Sequence, residues 1–329
     1  IQALEVTASR LYLAEQIGGP SRLRALGLDG KGGVALPIPP ISHVSGLARA
    51  GAGVVFGVKS FLAPDTRWRA DDATGKVDRT ALSEQSAVSF DDCELVRDEA
   101  VSADGTKVPV TLLMKKGTKP DGKNPLMLYG YGGFGISLVP NFSAVRRAWL
   151  EQGGIWAVAN TRGGAEFGDD WHRAGALDHK QNVFEDFAAA ARLVVAKRWT
   201  RPERLVLHGG SNGGLLMGAM VTQFPSLARA VVAEVGLFDM LRVELTPNGT
   251  HNVTEYGTVK DPDDFKTLLA YSPLQRVRNG TPYPAVLFMT GKNDPRVDPF
   301  HSRKMVARLQ ATGTKQPILL RTADTGHGM

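Results

Sequence analysis

The stretch His208-Gly209-Gly210-Ser211-Asn212-Gly213-Gly214 sets one serine among glycines, between the apolar run Leu205-Val206-Leu207 and the apolar segment Leu215-Leu216-Met217-Gly218-Ala219-Met220. Strand, G-x-S-x-G turn and helix in that order make a nucleophile elbow, where strand and helix pass so closely that the serine's neighbours must be nearly free of side chains. The turn lifts the serine oxygen clear of the backbone and aims the free N–H groups of the first helical turn at the reacting centre. In a chain with 37 glycines, a glycine-rich turn that merely contains a serine is the plain alternative. The flanking strand and helix patterns favour Ser211 as a nucleophile.

A serine hydroxyl is a poor nucleophile until a base takes its proton, and the usual base is a histidine held in one tautomer by a carboxylate. On an α/β sheet the chain order is Ser, acid, His. The histidines after Ser211 are His251, His301 and His327. Only His327 follows the loop after the expected strand Ala285 to Thr290, where an acid is due, and Gly326 and Gly328 flank it as on an exposed turn. His301 falls on an expected helix, Pro299 to Thr312, and reads as structural. Asp294, four residues beyond Thr290, is the candidate acid. Asp298, the runner-up, suits the start of that helix as a cap.

Gly130, Gly132 and Gly135 spell G-x-G-x-x-G within Tyr129-Gly130-Tyr131-Gly132-Gly133-Phe134-Gly135. A dinucleotide site needs a helix to begin there and an acidic residue to end the next strand. Instead Ile136 to Pro140 reads as extended, and the next strand ends Asn160-Thr161-Arg162. The reading adopted is a loop beside the nucleophile that supplies a second oxyanion donor.

The elements that must position these groups alternate. Strands are expected at Val108 to Lys115, Pro125 to Tyr131, Gly154 to Asn160, Arg204 to His208, Ala228 to Val235, Ala285 to Thr290 and Gln316 to Leu320. Helices are expected at Asn141 to Gln152, Val183 to Arg198, Gly213 to Gln223, Pro262 to Ala270 and Pro299 to Thr312. Such alternation predicts an α/β fold with a mostly parallel sheet covered on both faces, and a ligand site beyond the carboxyl ends of its strands, where Ser211 falls. Residues 1–88 are different: short β-compatible segments such as Leu4 to Thr7, Arg10 to Ala14, Arg22 to Leu28 and Gly53 to Lys59 lie between Gly- and Pro-rich turns. They are expected to form the C-terminal blades of a partial β-propeller, with the charged stretch Thr66 to Glu84 as the connection out of it.

Composition narrows the partners. Of the 329 residues, 43% are hydrophobic and 22% charged, and no apolar run reaches the ~18 residues of a membrane span. The net charge of +6 comes from scattered Lys and Arg, a solvated basic surface rather than a nucleic-acid footprint. One cysteine, Cys93, rules out an intrachain disulfide and leaves cytoplasm and periplasm both open. The start at Ile1 and the stop at Met329, two residues after His327, read as truncation at both ends, with a C-terminal helix missing.

From residue 90 onward the chain resembles the prolyl oligopeptidase family of serine peptidases. The likeness runs in order and spacing through Tyr129 to Phe134, Asn160-Thr161-Arg162-Gly163-Gly164, Trp171-His172, Lys180-Gln181-Asn182, the elbow, Asn293-Asp294-Pro295-Arg296-Val297 and Gly326-His327-Gly328. It implies an α/β-hydrolase domain over residues 89–329, capped by a seven-bladed propeller, and a triad of Ser211, Asp294 and His327. The Tyr131 hydroxyl and the Asn212 N–H are then the oxyanion hole, Arg296 holds a substrate carbonyl, and Phe134, Asn252, Tyr256, Leu237 and Val297 bind substrate. A serine endopeptidase of short peptides is implied, working through an acyl-enzyme without metal or organic cofactor, as a monomer with no nucleic-acid or membrane partner.

One position departs from that pattern. Proline-specific members carry a tryptophan four residues before the aromatic matched by Tyr256, and here Asn252 stands there. Members that cut after Lys or Arg carry acidic residues at positions aligned with Asn252 and Thr254, both neutral here; the nearby Glu255 is a weak substitute that could equally face solvent. The P1 preference is therefore open. An esterase using the same triad, or a catalytically silent propeller binding module, is the alternative.

Overall fold

Residues 3–83 form two antiparallel meanders of four strands each. The computed structural model describes residues 1–328. β1 (Ala3–Val6), β2 (Leu11–Gln16), β3 (Ser21–Leu26) and β4 (Val34–Ala35) make the first sheet, and β5 (Ser42–Arg49), β6 (Gly53–Ser60), β7 (Thr66–Asp71) and β8 (Val77–Ser83) the second, each in sequence order. Four-stranded meanders are the blade unit of a β-propeller. Inward residues of both sheets, among them Tyr12, Leu23, Val44, Phe56 and Ala70, share one small core.

The charged stretch after Thr66 is not a connection. It holds β7 and β8, whose register pairs Ala70 with Val77 and Trp68 with Arg79. Alternation explains the misleading composition: Thr66 and Ala70 are buried, while Arg67 and Arg69 between them point outward.

The second unit is built on β9 (Cys93–Val101), β10 (Lys107–Lys115), β11 (Leu126–Tyr129), β12 (Ile155–Ala159), β13 (Leu205–Gly210), β14 (Ala230–Glu234), β15 (Ala285–Gly291) and β16 (Ile318–Ala323). Their order, β16-β15-β14-β13-β11-β12-β10-β9, is parallel from β16 to β12 and antiparallel around β10. Among the described residues eight α-helices accompany them: α1 (Arg146–Glu151), α2 (Asp169–Arg173), α3 (Lys180–Ala196), α4 (Asn212–Gln223), α5 (Val253–Tyr256), α6 (Pro262–Tyr271), α7 (Pro273–Arg276) and α8 (Phe300–Gln310). This is the α/β-hydrolase fold with a mostly parallel sheet. The helix expected from Asn141 begins only at Arg146, whose guanidinium holds the Asn141 carbonyl and side chain in a loop.

Coverage of the sheet is uneven. α3, α4, α7 and α8 pack in succession over one face, burying Leu126, Leu128, Leu207, Val231 and Phe288 in the main core. On the other face α1 covers Met127, Trp156 and Val158. Beyond it, in register with Met127, Val206, Val232, Leu287 and Met289 remain only half-buried. The expectation of cover on both faces is thus met on one face and only in part on the other. Strand-by-strand apolarity cannot distinguish a covered face from a half-open one.

Candidate active site

β13 runs under van der Waals crowding into α4, and Ser211 sits at the break with φ 58° and ψ −118°. A positive φ at a residue with a side chain stores strain, held here by the Ser211 N–H donating to the Glu234 carbonyl at 2.8 Å. The flanking glycines are required by space. A Cβ on Gly209 would lie 2.4 Å from the Gly213 carbonyl oxygen, and one on Gly213 would lie 2.6 Å from that of Gly130.

Two further loops converge on the serine. After β15 the chain turns so that Asp294 Oδ1 accepts the N–H groups of Arg296 and Val297, at 2.9 and 3.0 Å. That leaves Oδ2 for His327 Nδ1, at 2.7 Å, with the carboxylate side chain wholly buried. His327 Nε2 lies 3.0 Å from Ser211 Oγ. A proton on Nδ1, donated to the carboxylate, leaves Nε2 with its lone pair toward the serine hydroxyl, the tautomer a general base needs. His301 and Asp298 take other work. His301 is buried, with Nδ1 accepting the N–H groups of Phe238 and Asp239, and Asp298 accepts the Phe300 N–H at the start of α8.

The loop after β11 brings Tyr131 to the same place. Its phenol is pushed above its ordinary pKa by burial, with the Ser211 hydroxyl and Arg296 opposing, so it keeps its proton to donate. Asn212 follows the serine at the head of α4, where N–H groups have no carbonyl one turn back. Its side chain ties the Tyr131 loop to Tyr256: Nδ2 donates to the Tyr131 carbonyl at 2.5 Å, and Oδ1 accepts the Tyr256 hydroxyl at 2.8 Å.

A cavity of about 310 Å³ opens over Ser211, and Tyr131, Phe134, Leu237, Asn252, Arg296 and Val297 line it. A larger one of about 480 Å³, near Arg229 and Tyr283, lies away from Ser211, so size does not choose the site. Tyr256 is not on the cavity wall. Its fully buried ring stands edge-on to Phe134 behind the wall, and its hydroxyl is spent on Asn212.

Glu255 does not face solvent either. It is buried, with Oε1 2.6 Å from Lys180 Nζ and Oε2 2.8 Å from His172 Nε2. Four residues of this surround were not read as site residues in the sequence: Ile136, Asn248 and His251, which line the cavity, and Lys180, whose Nζ donates to the Gly132 carbonyl at 3.1 Å behind it. A lysine heading an apolar helix was the available signal for the last.

With that geometry in place, comparison with known proteins is specific. Residues 140–329 match the profile of the prolyl oligopeptidase family. The chain belongs to that family. It is 40% identical over 301 residues to a prolyl endopeptidase of Elizabethkingia meningoseptica, covering 89% of this chain and 42% of the relative. To a prolyl endopeptidase of Dictyostelium discoideum it is 44% identical over 232 residues, covering 68% of this chain and 30% of the relative. A solved prolyl endopeptidase superposes with a TM-score of 0.91 at 41% identity, over 99% of this chain and 49% of that one. Oligopeptidase B from Leishmania major superposes with a TM-score of 0.88 at 28% identity, over 99% and 48%. The chain thus spans under half the length of these family members.

Proposed function

We propose that the protein is a serine-type oligopeptidase that hydrolyses short peptides through an acyl-enzyme. The observation that carries this reading is the continuous hydrogen-bonded line from buried Asp294 through His327 to Ser211, on a strained elbow beside Tyr131. His327, oriented by Asp294, takes the Ser211 proton as Oγ attacks the scissile carbonyl. The Tyr131 hydroxyl and the Asn212 N–H receive the charge that develops on the carbonyl oxygen, each supplying roughly 2.7–4 kcal/mol of transition-state stabilisation. His327 then protonates the leaving amine, and water hydrolyses the ester by the reverse path. Arg296, exposed at the cavity rim, suits a substrate carbonyl.

In this reading residues 1–88 are propeller blades and residues 89–329 the catalytic unit. The blades meet that unit at Gly18, whose N–H donates to the Glu166 carbonyl and whose carbonyl accepts from Arg97. A propeller beside the site restricts substrates to peptides small or flexible enough to enter. The test is Ser211-dependent cleavage of unstructured peptides, with fluorophosphonate labelling of the same serine. Cleavage of simple esters with no peptide cut would transfer the site to the esterases, and an unlabelled Ser211 would remove it from catalysis.

A further inference from the structure

Asn252 ends the short turn Gly249–Asn252 and stands at the N-terminal boundary of α5, on the wall of the cavity over Ser211. Only 7% of the residue is exposed. A buried asparagine normally has its carboxamide bonded, because an amide taken from water without a partner costs free energy. The other buried asparagines obey this: Asn212 bonds Tyr131 and Tyr256, and Asn160 bonds Leu138 and Glu166. Among the described residues the Asn252 carboxamide has no hydrogen-bond partner, although its polar atoms are not sealed from the cavity. Helix capping does not explain it, since its side chain makes no cap bond to α5. An unpaired donor and an unpaired acceptor are therefore presented side by side to whatever fills the cavity.

The remaining lining sets what can fill it. Phe134, Ile136, Leu237 and Val297 form apolar walls, Asn248, His251 and Arg296 add polar groups beside Tyr131 and Ser211, and no carboxylate lines the space. Glu255, three residues along the chain, is turned away, paired with Lys180 and in contact with His172, so a cationic side chain finds no counter-charge. A carboxylate only accepts: it would compete for Arg296, which the proposed function gives to a substrate carbonyl, and would leave Asn252 Oδ1 facing another oxygen. A proline or an aliphatic side chain would leave both amide atoms unpaired. A carboxamide donates and accepts at once, matches an amide through two parallel hydrogen bonds, and has an apolar stem for the apolar walls.

Resting on the proposed peptidase function, we infer that this cavity selects a carboxamide side chain, glutamine or asparagine, at the residue on the acyl side of the cleaved bond, through paired hydrogen bonds to Asn252. The Asn252 amide is then the specificity-determining group of the pocket. The Trp-to-Asn departure in the sequence accordingly replaces a flat apolar face by a polar, two-point contact.

The test uses the full-length protein and quenched fluorescent peptides that differ only at that residue: Gln, Asn, Pro, Leu, Glu and Lys. Wild type is expected to cleave the Gln or Asn peptide with a kcat/KM roughly tenfold or more above the Leu and Pro peptides, the discrimination a hydrogen-bonding site shows against an analogue that leaves it unpaired. Asn252→Leu, which keeps the volume and removes both polar atoms, should bring the Gln-to-Leu ratio to one or below. Asn252→Asp, which removes the donor, should lower the same ratio. Ratios within one variant are independent of how much of it folds. Cleavage of Pro, Glu or Lys peptides at or above the carboxamide peptides, or an unchanged ratio in Asn252→Leu, overturns the inference while leaving the peptidase reading intact. Failure to cut any peptide overturns both.

Discussion

Lys180 and Glu255, 75 residues apart in the chain, meet at 2.6 Å with both side chains essentially out of water, directly behind the loop that carries Tyr131. The ammonium also donates to the Gly132 carbonyl and lies 5.2 Å from the centre of the Tyr256 ring. Burial pulls its pKa below the ordinary lysine value, and the Glu255 charge opposes that pull. A buried pair of this kind is costly to break from one side, because the remaining carboxylate stays buried without its ammonium, with only His172 against it. Lys180→Met should therefore destabilise the protein by roughly 3–5 kcal/mol, and Lys180→Met/Glu255→Gln by clearly less. Denaturant titration of the four members of the cycle checks this. A purely additive cycle would mean the pair is not coupled.

Ser211→Ala should abolish turnover and fluorophosphonate labelling while changing stability by no more than about 0.5 kcal/mol, since it removes one cavity-facing hydroxyl and keeps Cβ at the strained position. Peptide turnover and thermal unfolding on the same preparation decide it. Turnover retained by this variant would remove Ser211 from the mechanism.

Tyr131→Phe removes one proposed oxyanion donor and no volume that packing needs. The expected loss is about 10²–10³ in kcat with little change in KM, because the bond is made to the developing oxyanion and not to the ground-state carbonyl. A rise in KM alone would place the hydroxyl in ground-state binding.

Asn212→Ala separates two roles of one residue. It keeps the backbone N–H and deletes the amide between the Tyr131 carbonyl and the Tyr256 hydroxyl. If that amide sets the Tyr131 loop, kcat should fall although no proposed donor has been removed, and by up to about 10² if the loop shifts by an ångström. Steady-state kinetics beside Tyr131→Phe and the double variant test it, and full additivity of the two losses would deny the coupling.

His301 supplies a pH dependence of stability. Burial lowers its pKa from the ordinary histidine value of 6.5 to about 4, with Asp239 and Asp298 pulling upward and Lys304 downward. Its Nδ1 is already an acceptor for two backbone N–H groups, so the folded state resists a proton that the unfolded chain takes up. Between about pH 6.5 and 4 the unfolded state thus binds more protons, and stability falls as pH falls, by at most about 1.4 kcal/mol per pH unit from this group. Above pH 6.5 the contribution is flat. His301→Asn should flatten the acid limb of the curve of Tm against pH, and an unchanged limb would assign it to other groups.

How far the sequence carried these conclusions varies from residue to residue. The elbow was legible because its demands are local: strand, glycines, serine and helix all lie within sixteen residues, and the glycines answer to backbone contacts the turn itself creates. Asp294 and His327 were legible because parallel topology imposes an order on loops at one end of a sheet, and order survives in a linear chain. β7 and β8 were not, because outward arginines disguised strands whose inward residues meet a neighbouring sheet.

Local pattern and chain order, then, were enough to place Ser211, Asp294 and His327 in one site on an α/β sheet. Orientation was not, since it depends on partners distant in sequence. Glu255 and Tyr256 are adjacent to one another and near a pocket by any alignment, yet Lys180 and His172 draw the first inward and Asn212 holds the second behind the wall. Asn252, four residues before Tyr256, is left facing the cavity with its amide unpaired. Which side chains of one short helix meet substrate and which meet the core is decided by long-range hydrogen bonds, and these exist only once the chain has folded.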